Sequence, residues 1–378
     1  MPDYWFKYGV TETFVEISEE IAQRRVRLNV SSSLMGIEDR VADFLDGLSA
    51  DRSLNSIQVL FDHSGDLTSL KLLKVLIERF LKLKPDGDVI LIASSWRLDP
   101  EAGRKHLSNG LRRLELGLAP KTFLKKGDSP RIEELIDDSI PLIVVTSAEP
   151  HGVFGEFCLR EATALSNLGV KDYENLFERI DDAWGDVLAK YDVYGLCVVG
   201  DEVLAGSAEE VDLKARSIIG EKFGVEVDDA DIVIAGAGGY PRDSTLESSI
   251  HLLGLLADFV VDGGLIGLVA ECLDGLGSRE FVEALARGFG TGYEGELVKM
   301  VKRVLESKRV ALTSTLPKTI LNNLLGIKGF DTPQDLLTYG LRLYSRGAKI
   351  LVAEHGLVKP VRRGASGRNS EPASRRPL

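Results

Sequence analysis

The sequence predicts an α/β protein of two domains, each with a mainly parallel sheet covered by helices, facing a cleft between them. Three observations carry that expectation. Apolar runs of strand length alternate with amphipathic stretches of helix length, the pattern of parallel strands joined by helical crossovers. The alternation runs through twice, changing over near 225–229 in "FGVEVDDA". The length, 378 residues, exceeds what one hydrophobic core ordinarily serves. The expected limits are 1–225 for the first domain and 226–358 for the second, with a basic tail over 359–378.

In chain order, "FVEI" and "RVRLNV" read as a strand pair around a turn. "SIQVLFD" is an apolar strand, and "DLTSLKLLKVLIERFLKL" an amphipathic helix with Asp66 placed as its N-cap. "DVILIASSW" is the next strand, "PEAGRKHLSNGLRRLEL" a helix and "IPLIVVTS" a third strand. Helices over "CLREATALSNLG" and "DYENLFERIDDAWGDVLAKY" precede a hairpin over "VYGLCVVGDEVLAGSA". The second series opens with the strand "DIVIAG", the helix "STLESSIHLLGLLADFV" and the strand "GLIGLVAE". It continues through the helices "REFVEALARG" and "EGELVKMVKRVLESKR", the strand "VALTSTLP", the helix "TPQDLLTYGLRLYSRG" and the strand "AKILVAEHG". The tail, "KPVRRGASGRNSEPASRRPL", is rich in Gly, Ser, Pro and Arg without an apolar period and is expected to be disordered.

Composition narrows the partners. A formal charge of -12 argues against polyanions such as nucleic acid or an anionic membrane surface, and favours a small molecule or another protein. Cys158, Cys197 and Cys272 are too scattered for a disulfide framework or a zinc site, which fits a reducing cytoplasm. The start, "MPDYWFKYG", has no secretory pattern, and Asp258, Asp262 and a glycine pair interrupt the longest apolar stretch, so no membrane span is expected. Gln occurs only at Gln23, Gln58 and Gln334 while Glu and Lys abound, a lean towards a heat-adapted source.

In open parallel sheets ligands sit beyond the carboxyl ends of the strands, so the strand-end loops are the candidate sites. They are "FDHSGD", "ASSWRLDP", "SAEPHGVFGEF", "AGAGGYPRD" and "AECLDGLGS". His151 has the chemistry for proton transfer near neutral pH, with Glu149 able to orient it if the turn brings the two together. His63 follows Asp62 at another strand end. His251 lies one helical turn from Glu247, a spacing that also suits a surface ion pair. Gly236, Gly238 and Gly239 invite comparison with a dinucleotide fingerprint, but Pro241 intrudes and the third glycine is missing. The other reading is a tight turn that lets backbone approach a neighbour, with Asp243 capping the helix. No His and carboxylate spacing supports a metal held by protein alone.

These loops in this order resemble the nickel-pincer lactate racemase family, from "WFKYG" to "ILVAEHG", most specifically in "EPH", "ADIVIAGAGGYPRD" and "AECLDGLGS". The resemblance implies a fold of two α/β domains and a nicotinate-derived nickel cofactor, tethered to a lysine, that takes hydride from the α carbon of a 2-hydroxy acid. It also implies two histidines that shuttle the hydroxyl proton, one for each enantiomer, and His151 matches the EPH one.

Several other positions depart from the family. Its second histidine lies in a Thr-His-Arg loop, where this chain has Ser95, Trp96 and Arg97. After EPH the family reads Gly-Gly-Arg-Lys, here Cys158, Leu159, Arg160 and Glu161, so the tethering lysine aligns with Glu161. The family's nickel-ligand histidine has no counterpart in "ATALSNLGVKDYENLFER". Asp-His-Thr-Arg becomes Asp62, His63, Ser64 and Gly65, and Tyr-Gln-x-x-Lys becomes Glu247, Ser248 and His251.

The expected function is therefore racemase or epimerase chemistry on a 2-hydroxy acid or sugar acid, with tethered nickel chemistry lost. His151 is the acid/base group, Arg97 the anion clamp and His63 the second proton carrier. Asp62, Ser64, Ser95, Trp96, Glu149, Arg160, Gly238, Gly239, Tyr240, Asp243, His251, Glu271 and Asp274 line the ligand. The alternative is a non-catalytic protein that binds a ligand or partner in the inherited cleft. A nicotinamide-dependent oxidoreductase rests on the glycine loop alone.

Overall fold

The long apolar runs pair as parallel strands. The computed structural model describes residues 3–18, 23–26, 36–50, 54–62, 67–94, 122–124, 135–167, 175–226, 229–344 and 347–361. Two compact units divide the chain: the first takes 30–149 and 156–221, the second 1–29, 150–155 and 222–378. After 221 the chain stays in the second unit. Residues 1–29 and 150–155 also join it.

The first unit carries a six-stranded sheet in the order Glu202–Ser207, Val193–Val199, Leu142–Ser147, Ser56–Asp62, Asp88–Ser94, Thr122–Leu124. All neighbours are parallel except the edge hairpin Val193–Val199 with Glu202–Ser207. Central strands of such a sheet are covered on both faces, which is why Ile57–Asp62 and Leu142–Thr146 are continuously buried. On the helix Leu67–Leu83, Leu70, Leu73, Leu76, Ile77 and Phe80 recur at three- and four-residue spacing and pack into that core. The helix Ile37–Ala50, which the strand and helix alternation passed over, adds Val41, Leu45 and Leu48. The helix expected over 100–116 lies outside the described residues.

The second unit has its own six-stranded sheet, all parallel, in the order Lys328–Phe330, Arg309–Thr313, Val260–Val269, Ala230–Gly236, Ile350–Ala353, Gln23–Val26. Gln23–Val26 is thus an edge strand here, and not the partner of "FVEI". That partner is Asp3–Tyr8, which pairs antiparallel with Thr11–Glu16. The hairpin closes through Gly9 and Val10, and Gly9 supplies the positive φ (54°) that such a short turn favours. Tyr4, Phe6, Val15 and Ile17 of this hairpin pack against Ile232, Ile234, Leu265 and Val352.

The expected helix over 244–260 is instead two short helices, Leu246–Ile250 and Leu252–Leu256, and a 3-10 turn, Ala257–Phe259. The interruption falls at His251, whose carbonyl accepts the Gly254 N–H at 3.0 Å. The tail's first three residues are ordered: Lys359–Val361 pair in parallel with Gly224–Glu226. The rest of the tail lies outside the described residues. Among the described residues, no helix is long and apolar enough to cross a membrane.

Candidate functional site

The EPH segment forms a two-stranded ribbon, Glu149–His151 with Gly155–Phe157, and its turn belongs to the second unit. There His151, 0% exposed, stacks on His251, 3% exposed, with ring centroids 4.1 Å apart and planes 2° from parallel. Two glycines permit the approach. A Cβ on Gly152 would run into the His251 carbonyl oxygen, and one on Gly254 would lie 2.6 Å from the Gly152 carbonyl oxygen. Phe154 lies 4.9 Å from the His151 ring and Tyr293 6.0 Å, and these two rings stack on each other at 5.8 Å. Nδ1 of His151 accepts the backbone N–H of Val153 at 3.2 Å and that of Phe154 at 3.5 Å. His251 is therefore buried and not a surface residue.

A second corner gathers at the carboxyl ends of Ala230–Gly236 and Val260–Val269. Asp243 Oδ2 accepts the N–H groups of Gly9 at 2.7 Å and Glu271 at 3.2 Å. Asp243 does not cap the following helix. Thr245 does, in a capping box with Ser248. Burial pushes the Asp243 carboxyl above its ordinary range, against the pull of its N–H donors. Glu271 is raised by burial and then by the Asp243 and Asp274 charges. Burial, with Cys272, Glu271 and Asp243 nearby, lifts the Tyr8 hydroxyl to about 12, and burial also lifts the Cys272 thiol to about 12. Cys272 is the only non-glycine residue with positive φ among the described residues, 54°, and its N–H bonds the Asp243 carbonyl at 2.7 Å. Asp274 donates its N–H to the Ser244 carbonyl at 2.8 Å.

The glycine loop packs on protein. A Cβ at Gly238 would lie 2.7 Å from the His355 ring nitrogen Nε2, and one at Gly239 would lie 2.8 Å from Lys7 Cβ and 3.0 Å from the Gly9 carbonyl oxygen. Tyr240 N–H bonds that same carbonyl at 2.8 Å. These contacts favour the tight-turn reading over the dinucleotide one.

Three positions singled out by the resemblance hold the fold together. Glu161, 2% exposed, accepts Arg216 Nη2 at 2.6 Å and the Cys158 N–H at 3.0 Å on one oxygen, and Arg160 Nη2 at 2.9 Å on the other. Arg216 also reaches Asp212 at 2.8 Å, and Arg160 reaches Asp181 at 2.8 Å. Burial pulls the Arg216 pKa down, but the Glu161 and Asp212 carboxylates outweigh it and hold the guanidinium charged. Cys158, Glu161 and Asp212 are close enough to share a metal ion, with ligand atoms within 4.8 Å. Arg216 already neutralises both carboxylates, and burial keeps the Cys158 thiol protonated. Glu247 accepts the N–H of Ser278 at 2.6 Å and its hydroxyl at 3.0 Å, while Ser248 belongs to the helix cap.

Of the remaining sequence candidates, Asp62 is buried and accepts the Thr146 hydroxyl at 3.1 Å, and Glu149 is buried at the strand end. His63, Ser64, Ser95, Trp96 and Arg97 lie outside the described residues. Sequence reasoning missed Phe154, Tyr293, Tyr8, Cys272 and Arg216. Only Arg216, at i,i+4 from Asp212, left a local signal.

Residues 225–313 match the family described as the lactate racemase C-terminal domain. The lactate racemase of Thermoanaerobacterium thermosaccharolyticum is 38% identical over 77 residues, 20% of this chain and 18% of that protein's length. The apoprotein structure of the lactate racemase from the same organism superimposes over 96% of this chain and 100% of that one, with a TM-score of 0.70 and 17% identity. The chain is thus similar to the lactate racemases in fold, and in sequence over residues 225–313. At that identity the structural likeness establishes the lactate racemase fold, while the sequence match spans under a fifth of the curated relative.

The residues present do not fit the tethered nickel group that the resemblance implies. A tether at position 161 needs an amine, and Glu161 is a carboxylate with both oxygens engaged by arginines. In this chain that position lies in the first turn of a helix and closes an ion-pair network.

Proposed function

We propose that this chain engages a 2-hydroxy acid or a sugar acid at the His151–His251 pair, in the manner of a lactate racemase but without a tethered nickel cofactor. The observation that carries the reading is the pair itself: two buried, stacked imidazoles at the EPH turn of a lactate racemase-like fold. Small polar sites of this kind orient an anionic ligand by a few convergent N–H groups within an aromatic wall, here Phe154 and Tyr293. Any racemase or epimerase turnover on this reading runs through His151 as the acid/base group.

A second reading, binding without turnover, is supported by Glu161, Glu247 and Ser248. Each stands where the resemblance implies a cofactor or substrate contact, and each is engaged in the fold. The acidic net charge supports a small organic ligand over nucleic acid in either case, and three free cysteines suit a reducing compartment such as the cytoplasm.

Calorimetry with D- and L-lactate, followed by an interconversion assay on the chain purified from a host that makes the nickel cofactor, separates the readings. We expect binding that His151→Ala weakens, no stoichiometric nickel and an unmodified protein mass. A nickel-bearing adduct on the intact chain overturns the loss of the tether. Lactate binding that is indifferent to His151→Ala removes the pair from the site.

A further inference from the structure

The nitrogen of His151 that carries hydrogen is fixed by the two residues that follow the EPH segment's turn. Nδ1 faces the N–H of Val153 at 3.2 Å and the N–H of Phe154 at 3.5 Å. Both backbone groups are donors, so Nδ1 is the acceptor. A neutral imidazole has one acceptor nitrogen and one N–H, which places the hydrogen on Nε2. A second hydrogen, on Nδ1, would point at the Val153 N–H, and that bond would become a donor–donor clash in a fully buried ring.

The surroundings act in the same sense. The His251 ring lies parallel at 4.1 Å, held there by the Gly152 and Gly254 backbone approach, and two cationic rings at that spacing in a buried site repel strongly. Phe154 and Tyr293 line the His151 ring with aromatic surface, which solvates a charge poorly. The turn fixes which nitrogen carries hydrogen, and stack and wall close the ring off from water.

We propose that His151 is locked as the Nε2–H tautomer and meets its ligand as a hydrogen-bond donor to an acceptor oxygen, and does not take up the ligand's hydroxyl proton. Proton abstraction by Nε2 needs a lone pair there, and in this tautomer that position is an N–H bond. Regenerating the lone pair requires hydrogen on Nδ1, where the Val153 and Phe154 amides already point. The role left is that of a neutral imidazole N–H, which stabilises negative charge on oxygen without transferring its proton. The ligand half of this statement rests on the organic-acid reading above, and within that reading it favours binding over turnover at His151. The tautomer stands independently of any ligand.

The test uses the full chain labelled with 15N-histidine, in long-range proton–nitrogen correlation spectra at neutral pH, with His151 assigned by its loss in His151→Gln. The expected spectrum has an unprotonated Nδ1 and a protonated Nε2. Hydrogen on Nδ1, alone or together with Nε2, overturns the proposal. Affinity for D- and L-lactate in two variants then tests the donor role, because a Gln amide offers an N–H near the place of Nε2 and Ala offers none. His151→Gln should hold within about threefold of the parent and His151→Ala should lose about tenfold or more, roughly 1.4 kcal/mol. Equal losses in both variants overturn the donor role. If the parent binds neither lactate, the organic-acid reading fails, and the spectra still decide the tautomer.

Discussion

Asp243 has one carboxylate oxygen bonded to the N–H groups of Gly9 and Glu271, and its other oxygen, Oδ1, is buried with no partner among the described residues. Desolvation of that charged oxygen is what raises its pKa, and Glu271 beside it is raised as well. The sign of the linkage follows. A carboxyl whose pKa is higher folded than unfolded holds its proton more tightly in the folded chain, so its stabilising contribution is complete below the unfolded value of about 3.9. That contribution fades as the pH climbs through the raised folded value. Asn at 243 keeps an oxygen for the Gly9 N–H and carries no charge. Asp243→Asn should therefore flatten the fall of the unfolding midpoint above about pH 4, at a cost near pH 7 of no more than about 1 kcal/mol. Thermal melts of parent and variant across that range read it directly, and parallel profiles would show that Asp243 is not the group being titrated.

At the scale of single elements, the helix Leu159–Asn167 shows a carboxylate in its first turn put to structural use. Glu161 is its third residue and reaches back to the Cys158 N–H, the acidic half of a capping box, while its charge holds Arg160 and Arg216. Putting lysine there would add a third cation beside Arg160 and Arg216 and leave the Cys158 N–H without its acceptor. Glu161→Lys should cost about 3–5 kcal/mol, the scale for breaking a buried ion pair from one side. Denaturant unfolding measures this, and a variant as stable as the parent would show that the network carries no weight. The departure at Glu161 was legible in the sequence, but its compensation was not, because Arg216 lies 55 positions away. Periodicity likewise found the helix over Leu67–Leu83 and the strands Ser56–Asp62 and Leu142–Ser147, whose patterns are local. It missed the break at His251, which depends on a remote glycine, Gly152, meeting that residue's carbonyl. His151 was found by motif, and its stack on His251 was not legible, because helical spacing reports neighbours on one element and not stacking between two.

The chain as a whole folds as two units that do not follow its linear order, and the first 29 residues decide whether the second unit can stand. Alternating strands and helices gave the fold class, since each parallel crossover is written locally. The place of the N-terminal hairpin was unreadable, because its partners begin more than 200 residues later. That hairpin puts Tyr4, Phe6, Val15 and Ile17 into the core beside Ile232, Ile234, Leu265 and Val352. It also donates the Gly9 N–H to Asp243 and the Glu16 N–H to Gln334, and Gln23–Val26 covers one edge of the sheet. Burying four such side chains contributes about 1.5–3 kcal/mol each, a sum comparable to the whole stability of a domain, about 5–15 kcal/mol. A fragment of residues 222–378 should accordingly show no cooperative thermal transition on its own, and a peptide of residues 1–29 added in trans should restore one whose midpoint rises with peptide concentration. Calorimetry of the fragment with and without the peptide checks this, and a fragment that melts alone, cooperatively and at the temperature of the full chain, would mean the hairpin is an ornament on a core already complete.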